Sequence, residues 1–321
     1  MTAATTTRTR ATASTTTTST SNRFHWCILN ATNLYVSDEN TATTCTTITT
    51  TTTTNNSNSI NTHNDSIIDN NSNTPTTTLN INQAVALNYR GTGGLEITSP
   101  KFGCADSWND IVEVVKHIEI VVPGASLFAV GFSMGAGILL KHLGEEGPNA
   151  RFKAAVAIAA PVDFLAVGNS LESSLKKRLM NFVMVSGVKL FMIHSFLKSP
   201  YADQLDVGKM WRARTLRQLE EASICKLHGY ANSEDYYAQN SPRTVLPAIA
   251  VPTLIVNAED DPVVSFKTLP VEDLKKNPRL YVAITKRGGH IGWGSGGLGA
   301  AAWTDAMAAH FMQACAPRSR L

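Results

Sequence analysis

The stretch that decides the fold runs from Leu127 to Leu143 and reads LFAVGFSMGAGILLKHL. Its first four residues form an apolar run typical of a buried strand, and Ala136 to Leu143 is predicted to be a helix that stops at Gly144. Between them lies Gly131–Gly135, a Gly-x-Ser-x-Gly pentapeptide. At a strand-to-helix turn this pattern predicts a nucleophile elbow that holds Ser133 above the sheet. A glycine-rich turn without chemistry is the alternative interpretation.

The segments around this stretch alternate between strand-like and helix-like patterns. Helical spacing covers 106–122, and a last helix is expected from about Gly299 to Ala314. Short apolar runs predict strands at Ala84–Leu87, Ala154–Ala160, Thr253–Ala258 and Leu280–Ile284. Apolar runs that alternate with helices favour an α/β fold, with a mostly parallel sheet covered by helices on both faces. The largely helical segment at about 164–246 is predicted to be a cap inserted over the sheet.

The first part of the chain has a different composition. Residues 1–80 contain 28 Thr, 13 Asn and no Lys, so they carry too little apolar surface to offset the entropy of ordering them. We therefore expect a disordered, low-complexity segment over 1–82 and an ordered domain over 83–318. Arg8, Arg10 and Arg23 among Ser and Thr leave a transit peptide open as an alternative. The compartment stays open between an intracellular, a plastid and a membrane-associated location.

Charge and cysteine content exclude several classes of function. The chain has 28 Lys and Arg against 25 Asp and Glu, which does not fit a strongly basic nucleic-acid reader. Its five cysteines lie far apart, so they form neither a disulfide framework nor a zinc site, and a reducing compartment fits best. Gly91-Thr92-Gly93-Gly94 lacks the full spacing of a nucleotide loop. We expect no cofactor, no metal and no nucleic-acid partner.

A serine nucleophile needs a base and a group that orients the base. Asp261 follows the predicted strand that ends at Ala258, and His290 lies in a glycine-rich loop after the last predicted strand. The order Ser133, Asp261, His290 is the order along the chain that an elbow of this type requires. Asp260 is the alternative acid, but the Asp261-Pro262 step favours Asp261. The N–H of Met134, at the start of the helix, is expected to provide half of an oxyanion hole.

These motifs together resemble one branch of a known superfamily. The resemblance rests on the segments Asn88–Gly91, Gly131–Gly135, Ser233–Tyr237, Asn257–Pro262 and Gly288–Trp293. They are similar to the YheT-like branch of the AB-hydrolase superfamily, which includes plant embryogenesis-associated hydrolases and animal membrane-linked lipases and esterases. The resemblance covers about 83–316. It implies hydrolysis of carboxylic esters, often acylglycerols or phospholipids, with Ser133 as nucleophile, Asp261 as acid and His290 as base.

One part of the family's pattern is missing. Its sheet has a strand between the Asn-x-Arg-Gly strand and the elbow strand, and a His-Gly loop after an early strand provides the second oxyanion N–H. Nothing in 1–82 resembles that loop, so the fold is expected to be incomplete at its N-terminus. Three explanations stay open: an altered gene start, a degenerate enzyme, or a strand formed by Phe24–Leu29 (FHWCIL).

We interpret the chain as a serine hydrolase that cleaves carboxylic esters of lipid-like substrates through an acyl-serine intermediate. The alternatives are a thioesterase or acyltransferase with the same triad, or a relative with impaired or no catalysis. The apolar segment 179–197 follows Lys176-Lys177-Arg178 but is interrupted by Asn181, Lys189 and His194. It is either a buried cap helix or an interfacial helix in peripheral contact with a membrane.

Overall fold

The computed structural model describes residues 24–29, 44–48, 81–92, 97–294 and 302–316. Over these ranges the chain forms a seven-stranded sheet in the order β2-β3-β1-β4-β5-β6-β7. Neighbouring strands are parallel except β2, which pairs with β3 in the antiparallel sense. The predicted α/β class with a mostly parallel sheet is therefore confirmed. The strands are β1 (Phe24–Leu29), β2 (Thr44–Ile48), β3 (Ile81–Asn88), β4 (Ser126–Phe132), β5 (Phe152–Ile158), β6 (Thr253–Ala258) and β7 (Leu280–Thr285).

Helices separate most of the parallel strands, because parallel neighbours need a crossover connection. Those outside the cap are α1 (Trp108–Val121), α2 (Met134–Glu146), α9 (Val271–Leu274) and α10 (Trp303–Cys315). Between β5 and β6 the cap contributes α3 (Phe164–Leu171), α4 (Leu175–Leu197), α5 (Val207–Arg212), α6 (Leu216–Ala222), α7 (Ile224–His228) and α8 (Ser233–Asn240). Short 3₁₀ segments cover Gly147–Asn149, Ala202–Gln204, Pro242–Ala248 and Phe266–Thr268.

Strand β4 shows why helices cover both faces. Leu127 and Ala129 join the hydrophobic cluster that contains the buried sides of α1 and α2. Phe128 and Val130 point the other way, into a cluster with Met312 of α10. Because side chains alternate along a strand, an uninterrupted apolar strand needs a packing partner on each face.

The N-terminal part of the sheet differs from the expectation. Phe24–Leu29 lies between β3 and β4 and runs parallel to both, with Cys27 opposite Val85 on one side and Ala129 on the other. The position between β3 and β4, which the sequence left without an obvious strand, is thus occupied by Phe24–Leu29, as the third explanation proposed. The boundary expected between residues 82 and 83 is corrected as well, because β1 and β2 precede it and β3 begins at Ile81. Without β1, the facing backbone groups of β3 and β4 would lack hydrogen-bond partners in the middle of the sheet. This cost favours the position of β1 between them. The Thr-rich run at 49–56 lies outside the described residues.

Helix α2 does not stop at Gly144, which corrects a second expectation. The helix continues to Glu146, and its C-cap is Gly147, whose φ is +51°. Gly144 is needed for a different reason, since a Cβ there would fall on the side chain and the carbonyl oxygen of Val245. The glycine lets α2 pack closely against the 3₁₀ segment that leads into β6, and this contact seats the elbow helix in the domain.

The cap has a hydrophobic core of its own. Val185, Ile193 and Phe196 of α4 pack there with Leu219 of α6. Residues 97–105, in the connection from β3 to α1, contribute Ile97, Phe102, Cys104 and Ala105 to the same cluster. The cap is therefore anchored to the sheet domain through the segment that follows β3.

Candidate active site

Ser133 lies at the turn between β4 and α2, as the pentapeptide predicts. Its φ of +49° and ψ of −122° lie in a region that non-glycine residues rarely adopt. Its backbone N–H donates to the carbonyl oxygen of Ile158 at 2.9 Å, which ties the turn to β5. A Cβ on Gly131 would lie 2.6 Å from the carbonyl oxygen of Gly135, so a side chain there would not fit. The strain at Ser133 is held in place by the surrounding structure and points to a functional role.

The three residues predicted as a triad are brought together. Ser133 Oγ lies 2.8 Å from His290 Nε2, and His290 Nδ1 lies 2.9 Å from Asp261 Oδ2. The Asp261 side chain is fully buried, whereas His290 is 18 % exposed. A carboxylate at Nδ1 fixes the tautomer that carries its proton there and leaves Nε2 free to accept the serine proton. The arrangement can activate a serine for acyl transfer.

Two neighbouring aspartates have separate functions in the site. Asp261 uses its second oxygen, Oδ1, to accept hydrogen bonds from the N–H groups of Val263 and Val264 at 2.8 and 2.9 Å. Asp260 instead accepts a hydrogen bond from the backbone N–H of Gly289 at 2.8 Å, so its side chain holds the backbone of the histidine loop. The geometry supports Asp261 as the acid that faces His290 and shows a role for Asp260 that the sequence did not predict.

The glycines next to His290 have distinct steric reasons. A Cβ on Gly288 would collide with the ring of Trp293, and Gly289 has a φ of +56°. Trp293 is 6 % exposed, and its Nε1 donates to Thr285 Oγ1 at 2.8 Å. The ring of Trp293 thereby ties the histidine loop to the end of β7.

Met134 is the first residue of α2, so its N–H belongs to the first-turn donors that have no acceptor within the helix. The N–H groups of Ala136 and Gly137 bond to the carbonyl oxygen of Ser133 at 2.9 and 3.2 Å. Strand β1 ends at Leu29, which pairs with Gly131 in register, so the chain leaves β1 at the edge of the sheet where Ser133 lies. The residues that follow Leu29 read Asn-Ala-Thr instead of His-Gly and lie outside the described ranges.

A pocket of about 710 Å³, counting the part open to solvent, extends from Ser133 into the cap. Most of its wall is apolar, formed by side chains of both the sheet domain and the cap: Met134, Pro161, Phe164, Val167, Leu171, Met184, Leu216, Val263 and Val264. A concave, mostly apolar site with few polar groups fits a substrate with a hydrocarbon portion.

A polar group interrupts this wall. Glu220 lines the pocket, and burial raises its pKa to about 7, although the hydrogen bond from the Tyr237 hydroxyl and the charge of Arg217 act in the opposite direction. The guanidinium of Arg217 lies 5.8 Å from the ring centre of Tyr237 and donates to Asn169 Oδ1 at 2.7 Å. Sequence reasoning missed Glu220, because a single acid on a predicted helix gives no signal of burial.

A second cluster of polar side chains lies where the cap meets the segment after β3. Cys104, Asp106 and His228 place one ligand atom each within 4.8 Å of one another. However, His228 Nε2 accepts the N–H of Phe102 at 3.1 Å, so Nδ1 carries the proton and donates to Asp106 Oδ2 at 2.6 Å. Tyr230 also donates to Asp106, at 3.1 Å.

Proton accounting therefore favours a hydrogen-bonded cluster over a metal site. Burial raises the pKa of the Cys104 thiol well above its usual value, which opposes the thiolate that a metal would need. Burial alone would raise the pKa of Asp106, but the hydrogen bonds from His228 and Cys104 outweigh it and lower that pKa. The cluster links cap and sheet domain, another contact that the sequence did not predict.

Among curated proteins the chain resembles several relatives. Phospholipase ABHD3 of Bos taurus is 31 % identical over 212 residues, which cover 65 % of this chain and 50 % of that protein. Embryogenesis-associated protein EMB8 of Picea glauca is 26 % identical over 234 residues, covering 72 % and 51 %. Monoacylglycerol lipase of Saccharomyces cerevisiae is 28 % identical over 215 residues, covering 66 % and 48 %. The chain spans about half the length of these relatives.

These likenesses confirm the resemblance drawn from the motifs, since both an animal phospholipase and a plant embryogenesis-associated protein are among the relatives. Residues 82–276 match the family described as serine aminopeptidase, S33, which covers more than half of the chain. The chain therefore belongs to the serine aminopeptidase S33 family of α/β-hydrolases.

Proposed function

We propose that this protein is a serine hydrolase that cleaves carboxylic esters of lipid-like substrates, such as acylglycerols or phospholipids. The observation that carries the proposal is the continuous contact from Ser133 Oγ through His290 to Asp261, with both steps below 3 Å. A strained serine at an elbow, a histidine within hydrogen-bond reach and a buried carboxylate behind it are the three parts that acyl transfer needs.

In the first half of the reaction Ser133 Oγ attacks the carbonyl carbon of the ester while its proton moves to His290 Nε2. Asp261 keeps the Nδ1 proton of His290 in place and stabilises the imidazolium that forms. The negative oxygen of the tetrahedral intermediate lies near the N–H of Met134, where the start of α2 favours negative charge. Collapse of the intermediate breaks the C–O bond, and the leaving alcohol takes the proton from His290.

In the second half a water molecule replaces the alcohol. His290 removes one proton from it, the hydroxide adds to the acyl carbon, and Ser133 leaves with that proton. The products are a carboxylic acid and the free enzyme, so no cofactor takes part. One oxyanion donor contributes on the order of 10²–10³ in kcat, and Met134 is the residue we assign to one of the two positions.

Two independent lines support a lipid as substrate. The pocket beside Ser133 is apolar over most of its wall. Two of the relatives described above bear the names phospholipase and monoacylglycerol lipase. We also propose that the protein reaches its substrate through a peripheral contact with a membrane surface. Its location would then be membrane-associated.

Labelling with a fluorophosphonate probe tests the proposal. We expect the 321-residue chain to be labelled, and Ser133→Ala to abolish the label. Ser186→Ala is the matched control, because Ser186 lies on α4 with its hydroxyl bonded to the carbonyl oxygen of Phe182 at 2.7 Å. A folded chain that takes up no label would refute an activated Ser133.

Substrate profiling then separates the chemistries. Oxygen esters of glycerol and of glycerophosphate should be hydrolysed faster than thioesters of the same acyl chain. A preference for thioesters, or transfer of the acyl group to an added alcohol in place of water, would replace the proposed reaction with one of the two related ones. Hydrolysis that survives Ser133→Ala would remove the triad from the mechanism.

A further inference from the structure

Helix α4 buries two of its polar side chains against the rest of the cap. Asn181 and Lys189 are only 2 % and 8 % exposed. Asn181 Oδ1 accepts from the N–H of Leu216 at 2.9 Å, and Lys189 Nζ donates to the carbonyl oxygens of Trp211 and Ala213, both at 3.0 Å. These groups are satisfied within the cap, so they fix which side of α4 faces inward.

The other side of α4 is apolar and exposed. Six large side chains spaced by four, three, one, seven and seven residues fall on one face of the helix, which we call the outer α4 face. They are Leu175, Leu179, Phe182, Val183, Leu190 and Leu197, with exposures of 85, 63, 46, 60, 62 and 57 %. Trp211, whose ring centre lies 5.8 Å from Lys189 Nζ, adds a further apolar side chain that is 52 % exposed. A helix face with this many exposed apolar side chains marks an interaction site.

The charge around this face indicates what would cover it. Residues 173–214, which contain α4 and α5, hold eight Lys or Arg and two Asp. Lys176, Lys177 and Arg178 lie in the first turn of α4, and Lys198 follows its last residue. An apolar helix face flanked by basic side chains is complementary to a bilayer with anionic headgroups. A second copy of the chain would bring the same positive charge to the contact, which disfavours self-association.

By length and composition alone, α4 could also cross a membrane. The contacts of Asn181 and Lys189 argue against this, because a spanning helix would have to break their bonds to the cap and carry both groups into hydrocarbon. A helix with one face packed in the cap and the other exposed lies in the plane of the interface.

We propose that the outer α4 face docks the protein on an anionic lipid surface. Asn181 and Met184 of the same helix line the pocket that contains Ser133, so α4 is a wall shared by the docking surface and the site. Delivery of a lipid ester past α4 to Ser133 rests on the function proposed above; the docking itself does not.

Flotation with vesicles tests the docking in a Ser133→Ala background, where no lipid is consumed. We expect binding to vesicles of phosphatidylcholine with phosphatidylserine, weaker binding to phosphatidylcholine alone, and loss of binding at high salt. Leu179→Asp/Leu190→Asp should lower partitioning at least about tenfold, because two exposed leucines that would enter the bilayer are replaced by charges. Lys176→Glu/Lys198→Glu should lower it about tenfold or more on anionic vesicles only.

The matched control is Ile120→Asp/Val121→Asp, since these residues are 77 % and 62 % exposed but lie at the end of α1. This control should bind vesicles like its parent. Equal binding by the outer-face variant and the control would overturn the proposal. So would light scattering that shows a dimer of the parent and a monomer of the outer-face variant, because a second copy would then cover the face.

A soluble short-chain ester separates the two proposals. With Ser133 intact, the outer-face variant should hydrolyse that ester at the parent's rate and lose activity only on vesicle-bound lipid. If the protein with Ser133 intact hydrolyses neither the soluble ester nor the vesicle-bound lipid, the proposed function fails. The flotation result still decides whether the outer α4 face docks on lipid.

Discussion

The carboxylate of Asp260 accepts a hydrogen bond from the backbone N–H of Gly289 at 2.8 Å, one residue before the histidine of the site. Its neighbour Asp261 contacts the side chain of that histidine at 2.9 Å. Two consecutive acids thus hold the backbone and the ring of the same loop, and this division of roles leads to the first prediction.

Asp261→Asn should lower kcat by about 10³–10⁴, because an amide can favour the wrong tautomer of His290. Asp260→Asn should keep most of the activity, since an amide oxygen also accepts from the N–H of Gly289. The measurement is steady-state hydrolysis of a soluble ester by both variants. An equal loss in the two variants would show that the assignment of the acid is wrong.

Glu220 should make stability depend on pH. Its pKa of about 7 lies above the 4.5 of the free side chain, so between these values the folded protein binds more protons than the unfolded chain. The stabilisation that this group contributes is therefore present at low pH and is lost as the pH rises to about 7. Glu220→Gln stays neutral and can still accept from Tyr237, so it should be more stable than the parent at pH 8 by about 2 kcal/mol.

Urea unfolding of the parent and of Glu220→Gln at pH 5 and pH 8 checks this. Near pH 5 the two proteins should have similar free energies of unfolding, and the difference should open as the pH rises to about 7 and be complete at pH 8. A constant difference at both pH values would mean that Glu220 does not titrate in this range.

Gly131, two residues before Ser133, should tolerate no side chain. Gly131→Ala places a Cβ 2.6 Å from the carbonyl oxygen of Gly135 and 2.7 Å from the Cα of Ala136, both backbone atoms with little room to move. We expect a loss of about 1–3 kcal/mol in the free energy of unfolding, together with a loss of activity. Denaturation midpoints and ester hydrolysis measure the two effects.

Gly187→Ala is the matched control for this substitution. Gly187 lies within α4, and a Cβ there meets nothing within 4 Å. The alanine should stabilise the protein by about 0.5–1 kcal/mol, since alanine favours a helix interior over glycine. Destabilisation by Gly187→Ala would contradict the position of α4.

Strand β1 should be essential to the sheet. Cys27→Pro removes a backbone donor from a strand that pairs on both sides, with Val85 and with Ala129, and should cost about 1–3 kcal/mol from the carbonyl left without a partner. Thr46→Pro makes the same change in β2, which pairs only with β3 among the described strands, and should cost less. Thermal unfolding of both variants checks the order. An equal effect would argue that Phe24–Leu29 does not occupy a central position.

Local patterns in the chain were sufficient to predict much of this protein. The apolar runs and the glycine spacing at 131–135 predicted the α/β class and the elbow turn. The order of Ser133, Asp261 and His290 along the chain picked out three side chains that the structure brings within hydrogen-bond distance. These features depend on residues close in sequence, where the period of apolar residues and the steric needs of a tight turn dominate.

Other features depend on contacts between distant segments. Phe24–Leu29 became a strand because β3 and β4, far along the chain, offer backbone groups on both sides. Glu220 became a half-buried pocket acid with a raised pKa, and Asn181 and Lys189 turned the apolar side of α4 outward, through packing within the cap. The sequence alone determines the composition and the local conformation of each segment. Which face of a helix is buried, and which acid loses its water, follows only when the whole chain is packed, because burial is a property of the neighbours and not of the residue.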